Sequence, residues 1–246
     1  MKTAGPVERT VFDNYERLSA AAADYFTTRM EEALRERGCF RVALSGGSTP
    51  AGMYGLLAER KASGWKNTHV FFADERFVPH RDAASNFALV RGSLGKIVPP
   101  GNFQPVDTAL PSPEAAAFEY HSRLAVMFGG SLSARPWDEG SLFDLVVLGL
   151  GSDGHTASLF PGSDALLEYG RAAVAADAPE GVKPSARITL SPPALRAARR
   201  TLFLVSGPEK HGALLSLLAG KGECPALSAI GGGGAAVYAD RGAING

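Results

Sequence analysis

Between residues 14 and 37, apolar side chains fall three and four positions apart: Leu18, Ala22, Tyr25, Phe26, Met30 and Leu34. That spacing gathers them on one side of a helix, and Gly38 is placed to end it. The pattern then changes. Residues 39–44 (CFRVAL), 68–73 (THVFFA), 142–148 (LFDLVVL) and 201–206 (TLFLVS) are short, nearly continuous apolar runs. Runs of that length, bounded by turn residues, read as buried strands. Weaker strands are expected at 171–176, 186–190 and 235–240. Helices are expected at 51–60, with Pro50 in the first turn, around 84–92, and at 208–220. Another is expected at 112–128, where Ser112 can cap the start and Glu114 suits the helix dipole. The Gly/Ser/Pro-rich stretch 129–141 reads as an exposed loop, with a domain linker as the alternative.

Strands separated by helical segments, with no internal repeat, define an α/β pattern. Right-handed crossovers favour an open, mostly parallel sheet with helices on both faces, here as one α/β domain over residues 1–246. Ligand sites in such folds lie beyond the C-terminal ends of strands. Three distinctive loops occupy that kind of position: 45–50, 74–86 and 149–158.

Composition narrows the function classes. Hydrophobic residues are 45% of the chain, enough for a sizeable core. Lys and Arg total 25 and Asp and Glu total 25, so the basic excess of a nucleic-acid binder is missing. Cys39 and Cys224 are far apart and form no redox or zinc spacing, which suits a reducing, cytoplasmic setting. The start, MKTAGPVERT, lacks the apolar core of a signal peptide, and no run is long enough to span a bilayer. A small molecule is the expected partner, without nucleic acid or membrane.

The loops carry the chemistry. In SGGSTP (45–50), Gly46 and Gly47 free the backbone while Ser45, Ser48 and Thr49 offer hydroxyls. A strand–glycine–helix unit aims amide hydrogens at an anion such as phosphate; a plain polar turn is the alternative. No GK[ST] follows, so this is not a P-loop, and the chain has no GxSxG serine elbow. In DER (74–76), Asp74 and Arg76 can be solvated, or can restrain each other beside a pocket where Arg76 grips an anion. The run GLGSDGHTASLFPG (149–162) places Asp153 and His155 in a glycine-rich turn after a strand. A carboxylate-oriented histidine can move protons at neutral pH; a structural histidine capping a turn is the alternative. Gly149, Gly151 and Gly154 also spell GxGxxG, and Asp177 follows at roughly the ~20-residue spacing of a ribose-binding acid. Pro161–Gly162 leaves no room for the helix a dinucleotide unit needs. His69, His80, His121 and His211 form no compact ligand set, so no metal is expected. Arg187 sits beside a short strand. Lys210 opens a helix against its usual dipole preference, which an intervening anion would relieve.

Taken together, SGGSTP, DERFVP with DAASN, GLGSDGHTASLFPG, RITLSPPAL (187–195) and VSGPEK (205–210) resemble the 6-phosphogluconolactonases, in order along almost the whole chain. SGGSTP and the DGH turn also look like those of glucosamine-6-phosphate deaminases. That turn usually continues there toward a phenylalanine and a Glu-Pro pair, whereas this chain reads TASLFPG. The resemblance implies a Rossmann-like open α/β fold, often monomeric, without metal or organic cofactor. It implies hydrolysis of 6-phospho-D-glucono-1,5-lactone with His155 as general base and Asp153 orienting either His155 or the attacking water. Arg76 and Lys210 would meet phosphate or developing charge. Gly46, Gly47, Ser48 and Thr49 would bind phosphate, Arg187 would be a further anion contact, Asp74 would meet a sugar hydroxyl or restrain Arg76, and Asn86 would brace its loop.

Overall fold

The computed structural model describes residues 5–60, 62–128 and 142–246. The stretch 129–141, read as loop or linker, lies outside the described residues. Seven strands build a wholly parallel sheet. They are β1 (Val7–Phe12), β2 (Phe40–Leu44), β3 (Thr68–Phe72), β5 (Phe103–Gln104), β6 (Leu145–Gly149), β9 (Thr201–Val205) and β10 (Ala235–Asp240). Their spatial order is β1-β10-β9-β6-β2-β3-β5. A second, antiparallel sheet of β4 (Asp74–Arg76), β8 (Ala186–Leu190) and β7 (Ala173–Asp177) stands beside it in the order β4-β8-β7.

The central strands are apolar without alternation because both faces are covered. Along β6, Leu145 and Val147 enter one core while Val146 and Leu148 enter the other. β9 divides the same way, Leu202 and Leu204 against Phe203 and Val205. On the first face lie α1 (Tyr15–Arg37), α2 (Ser48–Glu59) and α3 (Asn86–Leu94), with Phe26 and Phe40 edge-on at 5.3 Å. On the second lie α4 (Pro113–Met127), the short α5 (Pro192–Arg196), α6 (His211–Ala219) and α7 (Arg241–Asn245), together with the antiparallel sheet.

Local signals explain the helix ends. Asn14 accepts a hydrogen bond from the Arg17 amide at 2.9 Å, and Gly38 closes α1 in the left-handed region at φ 72°. Ser112 caps α4 as its position suggested, accepting from the Ala115 amide at 3.2 Å. The expected helix at 208–220 begins instead with a 3₁₀ turn, Pro208–Lys210, before α6.

Several elements escaped the sequence pattern: β1, β4, β5, α5 and α7. β1 (VERTVF) is an edge strand paired only with β10, and four of its six residues are exposed. Backbone pairing holds it, so it carries no apolar signature. Residues 74–76 read as loop, yet they form β4 and pair with β8, with Asp74 opposite Thr189 and Arg76 opposite Arg187.

Phe72 is fully buried and meets Phe87 edge-on at 5.7 Å. Phe72→Ala should cost about 3–5 kcal/mol of unfolding free energy, read by urea denaturation. A loss below 1 kcal/mol would mean that this core repacks freely.

Candidate functional site

From β2 the sheet grows through β3 to β5 on one side; the chain then returns to β6 on the other side of β2. The loops leaving β2 and β6 therefore diverge, opening a crevice where α/β sheets commonly bind ligands. A cleft of ≈ 250 Å³ occupies this place.

The β2 loop supplies one wall. The buried Tyr54 hydroxyl donates to the Ser45 carbonyl at 2.6 Å and anchors the strand end. Gly46 can carry no side chain: a Cβ there would stand 1.8 Å from Asn86 Oδ1. Gly47 turns at φ 99°, and α2 starts at Ser48 with no acidic residue in its first turn. Its positive end is therefore unneutralised from within. The Tyr15 hydroxyl braces that turn, donating toward the Ser48 carbonyl at 2.8 Å and the Thr49 carbonyl at 3.1 Å while accepting from the Gly52 amide.

β4 explains the DER triplet. Alternate residues of a strand point to opposite sides, so Asp74 and Arg76 line the cleft while Glu75 turns into the N-terminus of α3. Glu75 is fully buried and accepts from the amides of Arg76, Asn86 and Phe87 and from the Ser85 hydroxyl. Burial raises its pKa, and the hydrogen bonds only partly offset this. The alternative that Asp74 restrains Arg76 is not what the side chains do. Asp74 accepts from Asn86 Nδ2 at 3.0 Å and from Ser158 Oγ at 2.7 Å. Arg76 donates from Nη1 to the Ala84 carbonyl at 2.6 Å, and among the described residues its buried Nε has no partner. Asn86 braces this loop, and it also lines the cleft.

The β6 loop presents the histidine. The Gly149–Gly154 turn leads into no helix, so the GxGxxG pattern lacks its dinucleotide context. His155 Nδ1 lies 2.6 Å from Asp153 Oδ1, which also accepts the His155 amide at 3.1 Å. Phe160 supports the imidazole with ring centroids 4.6 Å apart. A Cβ on Gly151 would come within 2.1 Å of His155 Nδ1 and 2.5 Å of Asp153 Oδ1, so only glycine leaves space for the pair. His155 lines the cleft, while Asp153 stands behind it. Burial pushes the Asp153 carboxyl up, but the hydrogen bonds from His155 outweigh it and hold the group below its ordinary value.

The end of β9 closes the cleft with Ser206, Glu209 and Lys210. Asp240 accepts from the Ser206 hydroxyl, from the Gly207 amide at 3.3 Å and from the Ala243 amide at 2.8 Å, tying this turn to α7. Lys210 Nζ lies 3.9 Å from Glu209 Oε1, and its side chain is 23% exposed.

The cleft thus gathers Gly46, Gly47, Ser48, Thr49, Asp74, Arg76, His155 and Lys210. Asp153 lies outside this lining, bonded to His155, and so does Arg187. Arg187 is buried across from Arg76 and gives its Nε hydrogen to the Pro184 carbonyl at 2.8 Å. Burial, then the neighbouring Arg76 charge, makes its guanidinium less basic. Sequence reasoning missed Tyr15 and Asp240, which stand in no motif, and gave no role to Ser158 and Glu209, which lie inside the runs 149–162 and 205–210 but carry no signal of their own. Among the described residues, no group of three or more His, Cys, Asp or Glu could hold a metal ion. Nor is any helix among them long and apolar enough to cross a membrane.

Fold and cleft together define a doubly wound α/β protein with a small-ligand site at its switch point. The chain belongs to the glucosamine-6-phosphate isomerase/6-phosphogluconolactonase family, whose sequence model matches residues 13–236. Over 195 residues it is 39% identical to a 6-phosphogluconolactonase of Synechocystis sp., a match covering 78% of this chain and 77% of that one. A 6-phosphogluconolactonase of Mycobacterium tuberculosis is 34% identical over 231 residues, 90% of each chain. The solved structure of a 6-phosphogluconolactonase from Trypanosoma cruzi superposes with a TM-score of 0.87 at 29% identity, covering 99% of this chain and 97% of that one.

Two outcomes test this geometry. Gly151→Ala should separate His155 from Asp153, seen as loss of the downfield Nδ1 proton resonance in NMR; an unchanged resonance would show that the turn yields. Because Asp153 is more acidic folded than unfolded, its contribution to stability is present above the ordinary carboxylate range and is lost as pH falls through its lowered pKa. The stability gap between the wild type and Asp153→Asn should narrow as pH drops through that window. A gap independent of pH would contradict it.

Proposed function

We propose that this chain hydrolyses 6-phospho-D-glucono-1,5-lactone to 6-phospho-D-gluconate, as a step of the oxidative pentose phosphate pathway. The reading is supported by the family, by relatives that carry the 6-phosphogluconolactonase name, and above all by the 2.6 Å His155–Asp153 pair opening onto a phosphate-suited cleft. With Nδ1–H directed at Asp153, the Nε2 lone pair is free to act as base. Water attacks lactone C1 while Nε2 takes its proton. The tetrahedral intermediate then collapses: the bond from C1 to the ring oxygen breaks, and that oxygen takes a proton from the imidazolium. The amides and hydroxyls of 46–49 with the α2 N-terminus hold the phosphate. Arg76 and Lys210 supply positive charge to the phosphate and to the developing oxyanion. Asp74, already oriented by two donors, accepts from a sugar hydroxyl.

The lactone is an activated ester, so no covalent nucleophile is needed. His155→Ala should lower kcat by about 10²–10⁴-fold above the spontaneous blank, with folding unchanged by circular dichroism. Undiminished kcat would remove His155 from the reaction. Phosphorylated lactone should be turned over with a higher kcat/KM than plain gluconolactone, and Lys210→Ala should raise KM for the phosphorylated form alone. Equal efficiency for both lactones would overturn the phosphate assignment. Ammonia release from glucosamine 6-phosphate, without lactone hydrolysis, would overturn the whole reading.

A further inference from the structure

The segment just after His155 is tighter than a turn at that place requires. Ala157 sits at φ 48°, the left-handed region that costs a side-chain-bearing residue energy and persists only where neighbours over-determine it. Four hydrogen bonds do so. Thr156 Oγ1 donates to the Gly149 carbonyl at 2.8 Å, and the Leu159 amide donates to the Thr156 carbonyl at 2.9 Å. The Ser158 amide donates to Thr189 Oγ1 at 3.3 Å, and the Ser158 hydroxyl donates to Asp74 Oδ2 at 2.7 Å. Ser158 and Thr189 are fully buried.

The network closes on itself. Thr189 is the residue paired with Asp74 across β4 and β8. Its own hydroxyl hydrogen goes to the Leu190 carbonyl at 3.1 Å, leaving its oxygen as acceptor for Ser158. The hydrogens run outward from Ser158, through Thr189 to the Leu190 carbonyl on one side and to Asp74 on the other. Asp74 belongs to the second sheet, and His155 belongs to a loop of the first. Both line the cleft, and the Ser158 hydroxyl bridges the two loops directly.

Resting on the lactonase reading, we propose that Ser158 is a positioning residue: its hydroxyl latches the strained 155–159 turn to Asp74 and so sets the sugar-contacting carboxylate relative to the base. It touches no substrate and acts through Asp74. A truncated Ser158 leaves a buried carboxylate oxygen short of one donor and lets Asp74 turn.

The test is a double-mutant cycle of Asp74→Ala and Ser158→Ala, with kcat and KM measured on the phosphorylated lactone and inhibition by inorganic phosphate as the control for an intact cleft. Ser158→Ala should lower kcat/KM by about tenfold in the wild-type background and by less than about twofold in the Asp74→Ala background. The inhibition constant for inorganic phosphate should stay unchanged, because the 46–49 loop and Lys210 are untouched. Equal losses in both backgrounds, or phosphate inhibition weakened in step with turnover, would overturn the proposal. If Ser158→Ala does not fold, Ser158→Cys keeps the volume with a weaker donor, and the same outcomes decide. A folded wild type with no lactone turnover overturns the lactonase reading and this inference with it. An active wild type with additive losses overturns this inference alone.

Discussion

The reversal of strand order at β2 and β6 is the constraint on which the rest depends. Parallel neighbours must be joined by long crossovers, and where successive crossovers leave toward opposite edges nothing fills the space between their first turns. The backbone groups at those turns are not spent on the sheet, so they can meet a ligand. At this one place the chain puts Gly46, Gly47, Gly149 and Gly151, its strained alanine and its carboxylate–imidazole pair. Elsewhere the parallel sheet is plain: two apolar faces, each covered, with side chains alternating between two cores.

The small antiparallel sheet gives the cleft its polar third wall. Three residues suffice because strand alternation divides the work of DER. The outer pair faces the cleft, and the middle carboxylate disappears into the start of α3. Glu75 is costly to bury, and it is tolerated because four donors surround it. The same arrangement fixes Asn86, whose amide holds Asp74 and whose oxygen forbids any side chain at Gly46. Two loops that look independent in sequence are thus locked through one asparagine.

What was legible in the chain follows from this physics. The central strands announced themselves because burial on both faces demands uninterrupted apolar runs. The glycine loops announced themselves because positive φ and close approach demand glycine, as at Gly47 and Gly151. β1 was silent because four of its six residues are exposed and its packing is confined to Val7 and Phe12 at its ends. β4 was silent because three charged residues read as solvent-facing, and only pairing with β8 reveals the alternation. Arg187 was read as an anion contact from its type and its neighbourhood. Its guanidinium instead stands beside Arg76, with one donor already committed to a carbonyl. Ser158, Tyr15 and Asp240 were invisible because each works through hydrogen bonds to partners far along the chain, and one polar residue has no period.

The two ends of the cleft are built to different tolerances. His155 is pinned three ways, by Asp153 at 2.6 Å, by the Phe160 ring and by the missing side chain at Gly151. Lys210 rides on a short 3₁₀ turn whose hold on the fold runs through Asp240, and its charge sits at the end of a flexible stem. Proton transfer needs donor and acceptor within about 2.6–3.2 Å, so an error of one ångström there is decisive. Coulomb attraction falls only as the inverse of distance, so a cation that wanders by the same ångström would still hold the phosphate of the proposed substrate. On the proposed lactonase reading, the rigid construction is concentrated where the chemistry is short-ranged, and a long lysine stem serves where it is not.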